Sequence, residues 1–232
     1  KGFTVQTLSS DPVASAAAGG SWASGGALPA AKYVPAGSAG TQTSNLVAGG
    51  ASGPPANSNQ NTTSFEYDGS SWTAGGALNT TRFGGGGFGA SNTAAVIAGG
   101  SRSPGSAQGA ETETYNGTAF TEVADLNQTR GETYGGAGTS TAGIIYGGRS
   151  PPSTNRANAE NWNGSSWTET GDLNTARAEI AGTGESYTAA IAVGGYTTTA
   201  VANVETWNGS SWTEVSDINT AKYNGGASGG SP

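Results

Sequence analysis

The chain contains no cysteine, no histidine and no methionine. Without cysteine it can form no disulfide bond, and without cysteine and histidine most zinc, copper and iron sites are excluded. The lack of histidine also excludes every nucleophilic triad that uses a histidine base. We therefore expect a protein that is not an enzyme and that carries no cofactor and no metal.

Basic residues are also scarce. Nine Lys and Arg stand against 16 Asp and Glu, which gives a net charge of −7. Because nucleic-acid binding needs clustered Lys and Arg, we expect no nucleic-acid partner. No apolar run is long enough to span a bilayer, and we expect no insertion into a membrane.

Glycine is abundant, with 41 copies, and many of these copies belong to a sequence repeat. Trp-Asn-Gly-Ser-Ser-Trp occupies residues 162–167 and 207–212, and Tyr-Asp-Gly-Ser-Ser-Trp occupies 67–72. Looser copies run over 115–120 and 17–22. The second aromatic residues of the five copies are Trp22, Trp72, Phe120, Trp167 and Trp212.

Three further features keep step with these aromatics. An aliphatic residue follows each by six positions: Leu28, Leu78, Leu126, Leu173 and Ile218. A basic residue follows each by ten positions: Lys32, Arg82, Arg130, Arg177 and Lys222. A Gly-Gly pair begins 17 residues after the first four of these, at Gly49, Gly99, Gly147 and Gly194. A disordered chain does not hold such spacings, so the chain is a repeat protein.

Each repeat carries four strand signals. Strand A is rich in glycine and alanine, strand B is a short apolar run before Gly-Gly, and strands C and D flank an Asn-Gly or Asp-Gly hairpin turn. This predicts an all-β, five-bladed β-propeller of four-stranded blades, formed by residues 1–232 as one domain. The expected repeats are 1–28 plus 222–232, 29–78, 79–126, 127–173 and 174–221. The N-terminal and C-terminal strands share one blade, which closes the ring and removes exposed sheet edges.

The tryptophans of the repeat have two interpretations. The first, which we prefer, buries Trp72, Trp167 and Trp212 between blades, where wedge-shaped space opens outward. The second is a ladder of sugar-stacking rings. Asn163-Gly-Ser and its copies match a glycosylation acceptor, but turn chemistry accounts for them better.

The apolar run before Gly-Gly, the aromatic pair and the later Leu and Arg resemble the repeats of kelch propellers across nearly the whole chain. The aromatics are five residues apart here, one closer than in the usual kelch repeat. The phrases Asn-Gly-Ser-Ser-Trp-Thr-Glu and Leu-Asn-Thr-Ala-Arg are similar to kelch-like repeat proteins of marine bacteriophages, including cyanophages. That resemblance implies a virion or extracellular surface setting, as a fibre or tail component.

Enzymatic alternatives find little support in the residues. Kelch-like oxidases bind copper through Tyr, His and Cys, two of which are absent here. The acidic residues Glu122, Asp125, Glu169, Asp172, Glu214 and Asp217 recur at equivalent positions, which indicates a solvated structural role. Two non-enzymatic functions remain: a module that binds a host-surface glycan or protein receptor, and a decoration or spacer domain that contacts other virion proteins or further copies of itself.

Strand direction predicts the functional face. In a four-stranded antiparallel blade the B–C and D–A loops share one face, and the B–C loops span 51–63, 101–111, 149–159 and 196–203. We expect the basic residues of the D–A loops to surround the channel mouth on this face. There they either bind an anion or each pair with a neighbouring blade's carboxylate or a backbone carbonyl, and their recurrence in every repeat favours the pairing. The candidate ligand-binding residues are Lys32, Arg82, Arg130, Arg177, Lys222, Arg102, Arg149, Arg156 and Tyr196.

Overall fold

The computed structural model describes residues 25–56, 58–102 and 107–226. These residues form 20 β-strands, and no helix occurs among them. Accordingly, no membrane-spanning helix is found in the described ranges. The all-β prediction is confirmed.

Sixteen of the strands build four four-stranded antiparallel blades, each in the order A–B–C–D predicted from the repeat. Blade I consists of β1 (Gly37–Thr41), β2 (Ser44–Ala48), β3 (Ser64–Tyr67) and β4 (Trp72–Ala74). Blade II consists of β5 (Gly86–Ser91), β6 (Ala94–Ala98), β9 (Thr112–Tyr115) and β10 (Phe120–Glu122). Blade III consists of β11 (Gly136–Thr139), β12 (Ala142–Tyr146), β15 (Ala159–Trp162) and β16 (Trp167–Thr170). Blade IV consists of β17 (Ala181–Ser186), β18 (Ala189–Val193), β19 (Val204–Trp207) and β20 (Trp212–Val215).

The remaining four strands are short hairpins inside B–C loops. β7 (Ser101–Arg102) pairs with β8 (Ala107–Gln108) in blade II, and β13 (Arg149–Ser150) pairs with β14 (Thr154–Asn155) in blade III. Insertions are tolerated here because the loops lie at the surface and leave the blade hydrogen bonds intact.

Inner strands lie side by side, β1 against β5, β5 against β11 and β11 against β17, as in a propeller. Their glycines permit this approach. A Cβ atom on Gly87 would come within 2.5 Å of the Ser38 carbonyl oxygen, and one on Gly85 within 2.6 Å of the Ala36 carbonyl oxygen. Side chains at these positions would push neighbouring blades apart, which explains the glycine content of strand A.

The hydrophobic core lies between blades. Trp167 of blade III stands edge-on to Phe88 of blade II, with ring centroids 6.0 Å apart, and its indole N–H donates to the Thr112 hydroxyl at 3.0 Å. Trp212 of blade IV packs in the same way against Tyr146 of blade III, with ring centroids 4.7 Å apart. Both tryptophans are buried, as predicted.

Trp72 departs from this prediction, because it is half-buried. It stacks on Tyr67 of its own blade at 5.0 Å. The second aromatics of blades II to IV each pack against the preceding blade. The blade that precedes Trp72 in the predicted order is the fifth, which falls largely outside the described residues.

The Gly-Gly pairs tie each blade to the next. All eight glycines have positive φ, as at Gly49 (62°) and Gly50 (86°). The second glycine of each pair donates its N–H to the carbonyl of the basic residue that opens the next blade, at 2.8–3.0 Å: Gly50 to Arg82, Gly100 to Arg130, Gly148 to Arg177 and Gly195 to Lys222. The positive φ at both positions favours glycine, which accounts for the pair at these four places.

The described part of the chain contains four blades, whereas the repeat predicts five. The fifth would combine residues 1–28 with 222–232, and most of these lie outside the described residues. Lys222 and Asn224 make the same inter-blade hydrogen bonds as the equivalent residues of earlier repeats. The Gly195 N–H donates to the Lys222 carbonyl, and the Asn224 N–H donates to the Glu179 carbonyl. The five-blade count, the shared closing blade and the single domain over 1–232 stay predictions.

Candidate functional site

Three of the predicted ligand-binding residues are buried inside their own blades. Arg82, Arg130 and Arg177 are 0–1% exposed, and each forms an ion pair with a glutamate on strand C of the same blade. The partners are Glu113 at 2.9 Å, Glu160 at 2.6 Å and Glu205. The pairing interpretation therefore holds at these three positions, except that the glutamate belongs to the same blade and not to a neighbouring one. The free cationic ring is corrected there, since each guanidinium is already neutralised and shielded from solvent.

Each pair belongs to a larger hydrogen-bonded unit, which we call the arginine lock. In blade III the Arg130 guanidinium also donates to the carbonyls of Gly147 and Asn158, at 3.2 and 2.7 Å. The other carboxylate oxygen of Glu160 accepts from the backbone N–H and side-chain amide of Asn127, at 2.8 and 2.9 Å. The bond to Gly147 explains the 17-residue spacing between the basic residue and the Gly-Gly pair. The lock ties the D–A segment to strands B and C.

Burial and pairing act against each other on the arginines. Burial lowers the pKa of Arg82 and Arg130, and the charges of Glu113 and Glu160 oppose that shift. Guanidinium groups are not deprotonated in proteins. The locks are therefore charged and internally balanced.

Blade I has a different arrangement, and the sequence shows why. Glu113, Glu160 and Glu205 stand seven residues before the second aromatic, and the equivalent residue in blade I is Phe65. Lys32 replaces the arginine there. Its ammonium donates to the carbonyls of Gly49 and Thr63, at 2.7 and 2.6 Å, and lies 5.3 Å from the centre of the Phe65 ring. Burial lowers the pKa of Lys32 to about 8.

The predicted functional face is formed by the loops assigned to it. Residues that follow each basic position bridge to residues that follow the Gly-Gly pairs: Tyr33 to Ala51, Phe83 to Ser101, Gly131 to Arg149 and Ala178 to Tyr196. The D–A segments and the B–C loops therefore meet at one end of the blades.

A left-handed residue recurs in each D–A segment on this face, and we call these five residues the collar. The residue two positions after each basic residue has a positive φ of 46–62° in all five cases: Val34, Gly84, Glu132, Glu179 and Asn224. Backbone hydrogen bonds link neighbours in this collar, as from Glu179 N to Glu132 O at 2.7 Å and from Asn224 N to Glu179 O at 3.1 Å. A left-handed conformation costs roughly 1–2 kcal/mol for a residue with a Cβ atom. Four of the five positions nevertheless carry side chains, and such strain is typical of functional sites.

Two collar residues, Val34 and Asn224, line a cavity of about 420 Å³, which we call the mouth cavity. Tyr33, Val34, Tyr134 and Asn224 are among its lining residues. Tyr134 and Ser38 also line the central channel, a space of about 850 Å³ between the inner strands, so the two spaces adjoin. Tyr33 is 43% exposed, and the mouth therefore presents an aromatic ring to solvent.

Two carboxylates share one cation near Tyr134, which lines the mouth cavity. The Arg149 guanidinium lies 2.6 Å from Glu132 and 3.8 Å from Glu179. Burial and the charge of Glu132 raise the pKa of Glu179, while Arg149 opposes that shift. Burial and both carboxylates raise the pKa of Tyr134, so this phenol stays protonated as a hydrogen-bond donor. Arg149 is thus already paired and is not a free anion site.

The other candidate residues are distributed over the same face. Tyr196 lies beneath Arg149, 5.8 Å from guanidinium carbon to ring centre, and packs edge-on against the half-exposed Tyr223. Arg102 pairs with Glu111 on its own loop, and the Arg156 guanidinium donates to the Ser150 hydroxyl at 2.6 Å. Lys222 is exposed. The structure therefore places Arg149 against Tyr196 and near Tyr134 of the mouth cavity, whereas Arg102 and Arg156 are held within their loops.

Sequence reasoning missed Glu113, Glu160 and Glu205 and also Tyr33, Glu132, Tyr134, Glu179 and Asn224. The three lock glutamates had a detectable signal, because each keeps a fixed distance from the second aromatic. The mouth residues had none, since their types differ from repeat to repeat. Within the described ranges no group of His, Cys, Asp and Glu is arranged to hold a metal ion. No protein-family model matches the chain, and comparison with curated proteins finds no match.

Proposed function

We propose that this chain is a non-enzymatic binding propeller and that the mouth cavity takes a saccharide of a host-surface glycan or glycoprotein receptor. The observation that carries the proposal is the solvent-facing cavity lined by Tyr33 and Tyr134. Aromatic faces pack against the C–H face of a sugar ring, while phenol and amide groups fix its hydroxyls. A volume of about 420 Å³ falls in the range of small-ligand sites.

The charges of the site favour a neutral saccharide over the anionic ligand expected from the sequence. Arg82, Arg130 and Arg177 are already paired with glutamates in the arginine locks, and Arg149 is paired with Glu132. Among the described residues that line the cavity no side chain is cationic, so an acidic sugar would find no counter-charge in direct contact with it. A neutral sugar can form hydrogen bonds with both donors and acceptors, and it brings no charge that would be desolvated without a counter-charge.

The proposed setting is a virion or extracellular surface, where the propeller would be part of a fibre or tail. This setting rests on the resemblance of the repeat to kelch-like phage proteins. Imaging of the native particle with a label on the propeller is the direct measurement. Label at a fibre tip agrees with receptor binding, whereas label spaced along a filament or over a capsid agrees with the spacer or decoration alternative.

The site itself is tested with two matched tyrosine variants. Tyr33 and Tyr187 are 43% and 41% exposed, but Tyr187 lies on the A–B turn of blade IV, at the opposite face. A glycan array containing neutral and acidic saccharides identifies ligands of the unaltered chain, and calorimetry gives their affinity. We expect Tyr33→Ala to weaken binding about tenfold, which corresponds to about 1.4 kcal/mol, and Tyr187→Ala to leave it unchanged.

Two results would contradict this proposal. Equal effects of the two substitutions would remove the mouth cavity from the site. Absence of binding to any arrayed glycan by the folded, unaltered chain would favour the decoration or spacer function.

A further inference from the structure

The C–D hairpin turns share one geometry in all four described blades. The residue that opens each turn accepts, through Oδ1, the backbone N–H groups of the residues two and three positions later, at 2.8–3.0 Å. A glycine with φ of 89–95° follows it. The opening residue is Asp68 in blade I but an asparagine in blades II to IV: Asn116, Asn163 and Asn208.

An asparagine followed by glycine can lose its side-chain amide without any enzyme. The glycine backbone nitrogen attacks Cγ of the asparagine, the Cγ–Nδ2 bond breaks, and ammonia leaves with the proton of the attacking nitrogen. Water then opens the cyclic imide at the Cγ–N bond and leaves aspartate. The net reaction consumes one water and releases one ammonia, with no oxidant or reductant.

The turn geometry favours both the attack on Cγ and the later hydrolysis of the cyclic imide. Two backbone N–H groups point at Oδ1, where negative charge develops when Cγ is attacked, as in an oxyanion hole. All three asparagines are exposed, so water reaches the imide. The glycine also offers no side chain that would block the approach.

Blade I shows how this turn holds an aspartate, which is the residue that the reaction would produce in the other blades. Asp68 occupies the same turn and accepts from Ser70 N and Ser71 N at 2.8 Å each, as Asn163 does from Ser165 N and Ser166 N at 2.9 Å. The backbone N–H of Ser71, together with the side-chain and backbone groups of Ser70, lowers the pKa of Asp68 to about 2. Donors that hold an asparagine oxygen here therefore hold a carboxylate at least as well.

We propose that Asn116, Asn163 and Asn208 are deamidation sites whose aspartate product is accommodated by the folded propeller. This inference does not depend on saccharide binding. Complete conversion would take the net charge from −7 to −10 and would place a carboxylate on the C–D turn of every described blade.

The fold should also select between the two products of imide opening. Opening at the main-chain carbonyl gives isoaspartate, whose backbone is longer by one methylene. The turn glycines lie against the A–B turns, with a Cβ on Gly117 reaching within 2.9 Å of the Thr93 side chain and one on Gly209 within 3.2 Å of the Thr188 side chain. A lengthened turn has little room there, so ordinary aspartate should predominate.

Peptide mapping by mass spectrometry provides the first test. The folded chain is incubated at pH 8 and 37 °C, and conversion is followed at each asparagine. We expect Asn116, Asn163 and Asn208 to convert well before the lock asparagines Asn79, Asn127 and Asn174, whose amides donate to buried glutamates. An Asp68→Asn variant creates a fourth such turn and should return to aspartate at a similar rate. If these turns convert no faster than the lock asparagines, the proposal fails.

The second test examines the product directly. Asn116→Asp, Asn163→Asp and Asn208→Asp variants should each melt at pH 7 within 2 °C of the unaltered chain or above it. They should lose that parity at acid pH, where the carboxylate becomes protonated. A drop of more than 5 °C at pH 7 in these variants would show that the turn does not accommodate aspartate, whatever the deamidation rate.

Discussion

Replacing Glu160 by glutamine removes the negative partner of a guanidinium that is hidden from water. Arg130 is 1% exposed and Glu160 is 0% exposed, and their closest atoms are 2.6 Å apart. Arg130 cannot escape by losing its proton, because a guanidinium stays charged in proteins. Glutamine has an NH2 group in place of one carboxylate oxygen. This NH2 group would face another hydrogen-bond donor, either the Arg130 guanidinium or the Asn127 amide, and cannot accept from it.

Breaking one partner of a buried pair costs about 3–5 kcal/mol. We expect Glu160→Gln to lower the free energy of unfolding by that amount and, for a domain of this size, the melting temperature by roughly 6–20 °C. Urea unfolding at pH 7, followed by tryptophan fluorescence, measures the change. The slope of the free energy against urea should stay the same if the variant loses stability alone.

Two controls give this experiment its meaning. Glu169→Gln alters an exposed carboxylate in the same blade, hydrogen-bonded to the Asn158 amide at 2.9 Å, and should cost less than about 1 kcal/mol. A paired Arg130→Met and Glu160→Leu variant removes both charges and should lose less stability than Glu160→Gln. A loss for Glu160→Gln no larger than that for Glu169→Gln would refute the view that the lock is a buried, structurally required ion pair.

Three further expectations concern the core and blade I. Trp167→Ala should cost roughly 3–5 kcal/mol and the half-buried Trp72→Ala clearly less, as measured by urea unfolding; equal losses would contradict the burial difference. A Lys32→Arg and Phe65→Glu variant should build a fourth arginine lock and melt higher than Lys32→Arg alone, and no gain would show that the lock depends on more than this pair. Lys32 has a pKa of about 8 in the fold against about 10.4 in an unfolded chain. Between these values the unfolded chain binds more protons, so stability should rise with pH, and Lys32→Arg should flatten that rise in urea titrations.

The sequence by itself determined the architecture of the blades, because each repeat packs the same types of residue at the same spacing. The tryptophan spacing placed Trp167 and Trp212 between blades, and the Asn-Gly and Asp-Gly turns placed each C–D hairpin, as found at the Trp162–Trp167 pair. Strand direction alone assigned the B–C and D–A loops to one face. These features are local or strictly periodic, so a linear sequence contains them.

The chemical state of the recurring cations was decided by tertiary structure. Arg130 and Glu160 are 30 residues apart and meet because the D–A segment that carries Arg130 lies against the start of strand C. The same basic position is a buried ion pair in blades II to IV, a carbonyl-bound lysine over Phe65 in blade I, and an exposed Lys222 near the end of the described chain. The residue type at one position does not reveal which partner the fold will bring to it.

The mouth cavity depended on tertiary structure even more strongly. Tyr33, Tyr134 and Asn224 come from three separate repeats and from non-equivalent positions within them, so no periodic signal joins them. They converge because the D–A segments turn through left-handed residues such as Glu132 and Glu179, which sequence propensity disfavours in that conformation. Periodicity fixes how one blade folds, whereas a site at the axis is made where blades meet, and its chemistry is the sum of what each repeat contributes there.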